Sequence, residues 1–171
     1  PRLEACSWTP GVVGVCGGFQ MLGHVVRDPD GIEGSVRETP GLGLLDIETV
    51  MEPGKTERNV TARSLAFAAP LCGFEIHLGP PFCPECLRPA TLIGGVEDGA
   101  TSADGKVFGT YMHGLFHADL FRTRLLESLG VKGGGIDYRA EVERALDDVA
   151  AELEKRLDCD AVFALARSTA T

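Results

Sequence analysis

A β-branched run that ends on a glycine-flanked cysteine, Val12-Val13-Gly14-Val15-Cys16-Gly17-Gly18, leaves this chain few local solutions. The run has the length of a buried parallel strand, and residues 17–26 carry Phe19, Leu22 and Val26 at helical spacing, which predicts strand, sharp turn, helix. A turn that abrupt lifts its central residue clear of the sheet, and Gly14 and Gly18, two positions to either side, give it room. Cys16 is that residue. A thiol at the start of a helix is biased towards the thiolate, and the helix's first N–H groups can donate to an oxyanion. The competing reading is a small buried cysteine in a glycine-rich turn, since free cysteine is among the most buried residue types; the flanking glycines favour the elbow.

Further along, Asp28-Pro29-Asp30-Gly31 is a turn signal, residues 41–50 read as a loop entering a strand, and 51–56 as another turn. Strands are expected at 59–66, 71–77, 90–93 and 107–112. An amphipathic helix is expected over 119–129, stopping at Gly130, followed by a glycine joint at 133–135. A longer helix over 137–157 places Val142, Leu146, Val149 and Leu153 on one face, expected to pack on the sheet, with 157–166 apolar enough to follow it. At 171 residues the chain fits one domain. With aromatic residues at 6% and 22 glycines, the core must come from Val, Leu, Ile and Ala between tight turns, which suits an α/β protein.

Charge narrows the partners. Sixteen basic against 25 acidic residues give a net charge of −9, which repels phosphate backbones and anionic lipid, so no nucleic acid is expected. No apolar run approaches the ~20 residues a membrane-spanning helix needs, so no membrane is expected either. The six cysteines, Cys6, Cys16, Cys72, Cys83, Cys86 and Cys159, stand in a chain without a signal-peptide pattern, which points to the reducing cytoplasm.

A cysteine nucleophile needs a base, and the histidines are His24, His77, His113 and His117. On a helix starting at the elbow, His24 would stand roughly 12 Å from Cys16 at 1.5 Å rise per residue, so a structural role is expected. His113 follows the apolar strand 107–112 and precedes Gly114, which predicts a loop at the strand's carboxyl end, where sites of α/β sheets gather. It is the best candidate base.

Three segments in this order, Gly14 to Gly23, Gly73-Phe74-Glu75-Ile76-His77-Leu78-Gly79 and Gly109-Thr110-Tyr111-Met112-His113-Gly114-Leu115-Phe116, resemble the glutamine amidotransferase domain of cobyric acid synthases. With residues 28–34 and 41–45 the resemblance covers about residues 11–165. It implies a class I, triad-type fold, a doubly wound α/β sheet with flanking helices. It implies two linked reactions: glutamine is hydrolysed at a cysteine through a thioester, and the ammonia passes to a separate ATP-dependent domain that amidates peripheral carboxylates of adenosylcobyrinic acid a,c-diamide in cobalamin biosynthesis. Carried over residue by residue, Cys16 matches the nucleophile, His113 the general base and acid, and the Gly17 N–H part of the oxyanion hole. Gly18, Gln20, Glu75 and His77 fall in the motifs that line the oxyanion and substrate side. Two residues after the histidine, where the wider class usually has an acid, stands Leu115, so a Cys-His dyad is the simplest reading, with Glu75 and Asp119 as possible orienters of His113.

Family members precede this region with further strands, a glycine-rich loop carrying the second oxyanion donor, and a synthetase domain. This chain opens at Pro1 without them and is expected to be N-terminally truncated. Losing one oxyanion donor typically costs ~2.7–4 kcal/mol, so low glutaminase activity of the chain alone is expected. No Gly-x-x-x-x-Gly-Lys-Ser/Thr is present; residues 99–107 fail in spacing and lack Ser or Thr after Lys106. No cofactor is therefore expected in this chain, and ATP and Mg²⁺ are expected on the synthetase domain, as is the corrinoid. Cys83-Pro84-Glu85-Cys86 has zinc-knuckle spacing with Cys72 and His77 nearby, but a second Cys-x-x-Cys is missing and His77 belongs to the middle motif, so no metal site is expected. Two alternatives remain: an amidotransferase acting on a bacterial cell-wall precursor, in which Asn rather than Ile is expected before the histidine of the middle motif, and a catalytically silent remnant.

Overall fold

The computed structural model describes residues 10–79, 81–82 (backbone only), 88–132 and 135–168. The chain divides into two compact units, Pro1–Gly135 and Ile136–Thr171.

The first unit is mixed α/β. Its strands are β1 (Val12–Val15), β2 (Val25–Arg27), β3 (Glu38–Pro40), β4 (Glu48–Val50), β5 (Thr56–Ser64), β6 (Pro70–His77), β7 (Pro81–Phe82), β8 (Thr91–Ile93), β9 (Val96–Asp98), β10 (Ala100–Thr101), β11 (Val107–Thr110) and β12 (Met112–His113). Helix α1 (Gly17–Leu22) follows β1, and a 3₁₀ turn (Leu115–His117) leads into α2 (Asp119–Ser128). The strands form three sheets, ordered β1-β11-β10, β12-β6-β5-β8-β9 and β3-β2-β4-β7. Among the described residues, only β1 with β11 and β2 with β4 pair in parallel. The first sheet holds Val12 opposite Val107 and Val15 opposite Thr110; the second is antiparallel throughout, with Met112 opposite Glu75 and His113 opposite Phe74.

Two apolar clusters bury the faces of these sheets. Phe67, Leu71, Ile93, Phe108, Met112, Leu115 and Phe121 form one, and Phe19, Leu22, Leu45, Ile47, Ala100 and Tyr111 the other. Burial of such side chains, each worth about 1.5–3 kcal/mol, holds the short strands in place. The largest fully buried side chains are Tyr111, Phe19, Phe108 and Phe121, so aromatic residues carry more of the core than the expected Val, Leu, Ile and Ala, and two expected elements also give way.

The helix after Cys16 ends at Leu22, not at residue 26: the β-branched Val25 and Val26 are drawn into pairing with β3 and β4 instead. His24 thus lies beyond the helix, its N–H donating to the Ile47 carbonyl at 2.9 Å and its ring bonded to Asp46 at 2.9 Å. The strand expected over 107–112 is two strands in different sheets, broken at Tyr111. His113 consequently sits on β12 rather than in a loop. Asp119 is the first residue of α2 and pairs with Arg122, while Ala118 takes the capping position without a side-chain bond.

The second unit consists of α3 (Tyr138–Arg156) and α4 (Cys159–Ser168). Asp137 caps α3 by accepting the Ala140 N–H at 3.0 Å. Among the described residues of this unit, neither helix buries a side chain. Of the glycine joint, Gly133 and Gly134 lie outside the described residues, as do Cys6 and the Cys83-x-x-Cys86 pair.

Candidate active site

Cys16 occupies the turn between β1 and α1 with φ 54° and ψ −117°, a backbone conformation that residues with a side chain rarely adopt. The turn is as tight as the glycine pattern implied: a Cβ at Gly14 would stand 2.6 Å from Leu22 Cδ1 and 2.7 Å from the Gly18 carbonyl. Gly18 contributes differently from what its spacing suggested, because a Cβ there meets nothing within 4 Å. The room comes from Gly14. The Cys16 N–H donates to the Thr110 carbonyl at 2.9 Å, and its Sγ donates to the Ile76 carbonyl at 3.1 Å. Gly17 and Gly18 open α1, where helix geometry leaves N–H groups without intrahelical acceptors.

Strand β6 collects the rest. Successive side chains alternate faces, so Phe74 and Glu75 point opposite ways. On one face the His113 ring stacks parallel on Phe74, centroids 4.7 Å apart and planes within 3°. His113 Nε2 is sealed from solvent and has no hydrogen-bond partner. On the other face Glu75, 5% exposed, accepts from Arg58 Nε at 2.6 Å and lies 3.9 Å from His77 Nε2. The His77 ring stacks on Tyr111 at 4.1 Å, leaving its buried Nδ1 unpartnered. The alternation therefore separates Glu75 from His113, and the histidine that Glu75 approaches is His77.

Gln20 is buried, and its Nε2 donates to the Leu78 carbonyl (3.3 Å) and to Tyr111 Oη (3.2 Å). The Tyr111 hydroxyl in turn donates to the Gly79 carbonyl at 3.2 Å. Burial pushes the Tyr111 phenol above its ordinary value; the hydrogen bond with Gln20 pulls back, and the nearby Asp98 and Cys16 add to the rise. These contacts moor α1 to the end of β6, beside the carbonyl that holds Cys16 Sγ.

The fold thus brings Cys16, Gln20, Glu75, His77 and His113 around one strand. It adds Arg58, Phe74 and Tyr111, to which the sequence reading attached no role. Phe74 and Tyr111 stood inside motifs already singled out, whereas Arg58 carries no local signal. Cys72 is exposed and unbonded to another cysteine, and the described residues contain no group of three metal-ligating side chains. Among them no helix is long and apolar enough to cross a membrane.

Residues 4–121 match the family described as the CobB/CobQ-like glutamine amidotransferase domain. The cobyric acid synthase of Mesorhizobium japonicum is 74% identical over 156 residues, 91% of this chain and 32% of that protein. Those of Rhizobium johnstonii (58% identical, 86% of this chain, 30% of that protein) and Brucella canis (57%, 91% and 32%) are similar in the same way. A solved glutamine amidotransferase aligns loosely, with TM-score 0.42 and 18% identity over 70% of this chain and 60% of that one. The chain spans about a third of the length of the curated relatives it matches.

Proposed function

This chain belongs to the CobB/CobQ-like glutamine amidotransferase family, and from that premise we propose that it is the glutamine-hydrolysing, ammonia-supplying part of a cobyric acid synthase. The observation that carries the reading is the strained Cys16 turn held against β6, the strand that also seats His113 with an unpartnered buried Nε2.

In the proposed reaction Cys16 Sγ attacks the side-chain carbonyl carbon of glutamine, and His113 takes the thiol proton. The Gly17 N–H donates to the oxyanion of the tetrahedral intermediate. As the C–N bond breaks, His113 returns the proton to the leaving nitrogen, which departs as ammonia and leaves a thioester. Water then adds to the thioester, His113 carrying its proton back to sulfur, and glutamate is released. Gln20, through Tyr111 and the Leu78 carbonyl, holds the elbow in place, while Glu75, neutralised by Arg58, and His77 shape the substrate side of β6.

The ammonia would serve a synthetase domain using ATP and Mg²⁺ to amidate peripheral carboxylates of adenosylcobyrinic acid a,c-diamide, in the cytoplasm. The identities of 57–74% to cobyric acid synthases support this destination. The test is intact mass after incubation with an electrophilic glutamine analogue, beside a glutaminase assay. One adduct is expected, absent in Cys16→Ala, with turnover in that variant lower by about 10³-fold or more. No adduct, or one that persists in Cys16→Ala, refutes an activated thiol and leaves a silent remnant.

A further inference from the structure

The nucleophile and the base of this reading ride on different sheets. Cys16 ends β1, in the sheet of β11, whereas His113 lies on β12, in the sheet of β6. The chain changes sheet within three residues, between Thr110 and Met112. Whatever sets the angle of that change sets where the imidazole stands relative to the thiol.

Thr110, 0% exposed, touches both sides of the change. Its carbonyl accepts the Cys16 N–H at 2.9 Å. Its Oγ1 accepts the Met112 N–H at 3.1 Å, which turns the backbone directly before His113. One hydroxyl hydrogen remains, and it is donated to Asp98 Oδ2. That same carboxylate oxygen accepts from Thr91 Oγ1 at 2.9 Å, and Thr91 Oγ1 lies 3.4 Å from Thr110 Oγ1. With its hydrogen committed to Asp98, the hydroxyl is held in one rotor and keeps a lone pair for the Met112 N–H, so the carboxylate steadies the acceptor of the bond that bends the strand. A hydroxyl this deeply buried would be costly without partners, so the strand break and the bonds to Met112 and Asp98 depend on one another.

We propose that Thr110 and Asp98 form a positioning pair that fixes His113 against Cys16 across the seam between the two sheets. The inference rests on the Cys16–His113 reading, and valine in place of Thr110 conserves shape while removing the hydroxyl.

The test is the rate of Cys16 alkylation by iodoacetamide, followed at the Cys16 peptide by mass spectrometry, in the wild-type chain, Thr110→Val, His113→Ala and the double variant, with Thr110→Ser as rescue. Thr110→Val is expected to slow labelling by about tenfold in the wild-type background and not at all in His113→Ala, because a misplaced base is as little use as an absent one. Thr110→Ser is expected to label at the wild-type rate. Asp98→Ala, which frees the hydroxyl from the outer end, should reproduce Thr110→Val and stands in for it if the valine variant does not fold by circular dichroism. Equal slowing in both backgrounds, no slowing in Thr110→Val, or a slow Thr110→Ser overturns the positioning role while the dyad survives. A His113→Ala rate equal to wild type removes the dyad, and the inference with it.

Discussion

At Gly73 the main chain of β12 occupies the place a side chain would take: a Cβ there would stand 1.9 Å from the His113 carbonyl oxygen. Backbone cannot swing aside as a side chain can, so Gly73→Ala should cost about 3 kcal/mol, the upper end of overpacking, and should lower Cys16 labelling because β12 must shift. Urea melts with parallel labelling check both. Tyr111 makes a different case. With its phenol held above the ordinary value by burial, the folded state binds that proton more tightly than the unfolded chain, so its contribution is intact below about pH 10 and is lost as pH rises through the folded value. Tyr111→Phe should cost about 1 kcal/mol at neutral pH, through the Gln20 and Gly79 bonds, and should flatten the alkaline fall in stability. Denaturant melts at pH 7 and 10.5 distinguish the two effects. The elbow at Cys16 was legible in the sequence because a glycine-flanked strand-to-helix turn is a local pattern, whereas the place of His113 on β12 was not, because strand pairing divides the apolar run before it. Arg58 was not, since its approach to Glu75 depends on the antiparallel register of β5 with β6, which no local spacing encodes.

Among the elements, the turn after β2 shows how a short segment closes on its own side chain. Asp28 accepts the Ile32 N–H at 2.7 Å and the Glu33 N–H at 2.9 Å. Partial desolvation pushes its carboxyl up, but donation from Ile32, Glu33, Gly31 and Gly34 outweighs that and holds it below the ordinary carboxylate value. A folded value below the unfolded one stabilises the protein above about pH 4 and is lost as pH falls through the folded value. Asp28→Asn should therefore lower stability at neutral pH and weaken the acid dependence below pH 4, as thermal melts across pH 2–6 would show. The turn itself was readable from Asp28-Pro29-Asp30-Gly31. The length of α1 was not, because helical spacing at Val26 competes with a pairing partner, β4, that lies more than 20 residues away. The break at Tyr111 has the same origin: an apolar run reads as one strand, and only the competition between β1 and β6 for its two halves divides it.

On the scale of the molecule, the described members of both apolar clusters come from residues 19–125, within the first unit. A chain of residues 1–135 should fold on its own, with the near-ultraviolet circular dichroism of that unit and a single cooperative melt; loss of cooperativity would show that the cores are incomplete without the remainder. The acidic balance, the elbow and the mixed α/β class were determined by the sequence alone, because each rests on composition or on patterns spanning fewer than about ten residues. Tertiary structure alone decided the sheet change at Thr110, the separation of Glu75 from His113 and the partners of Arg58 and Tyr111. All of these are set by strand pairing between segments tens of residues apart, where register and alternation choose which side chains meet, and a linear pattern records neither.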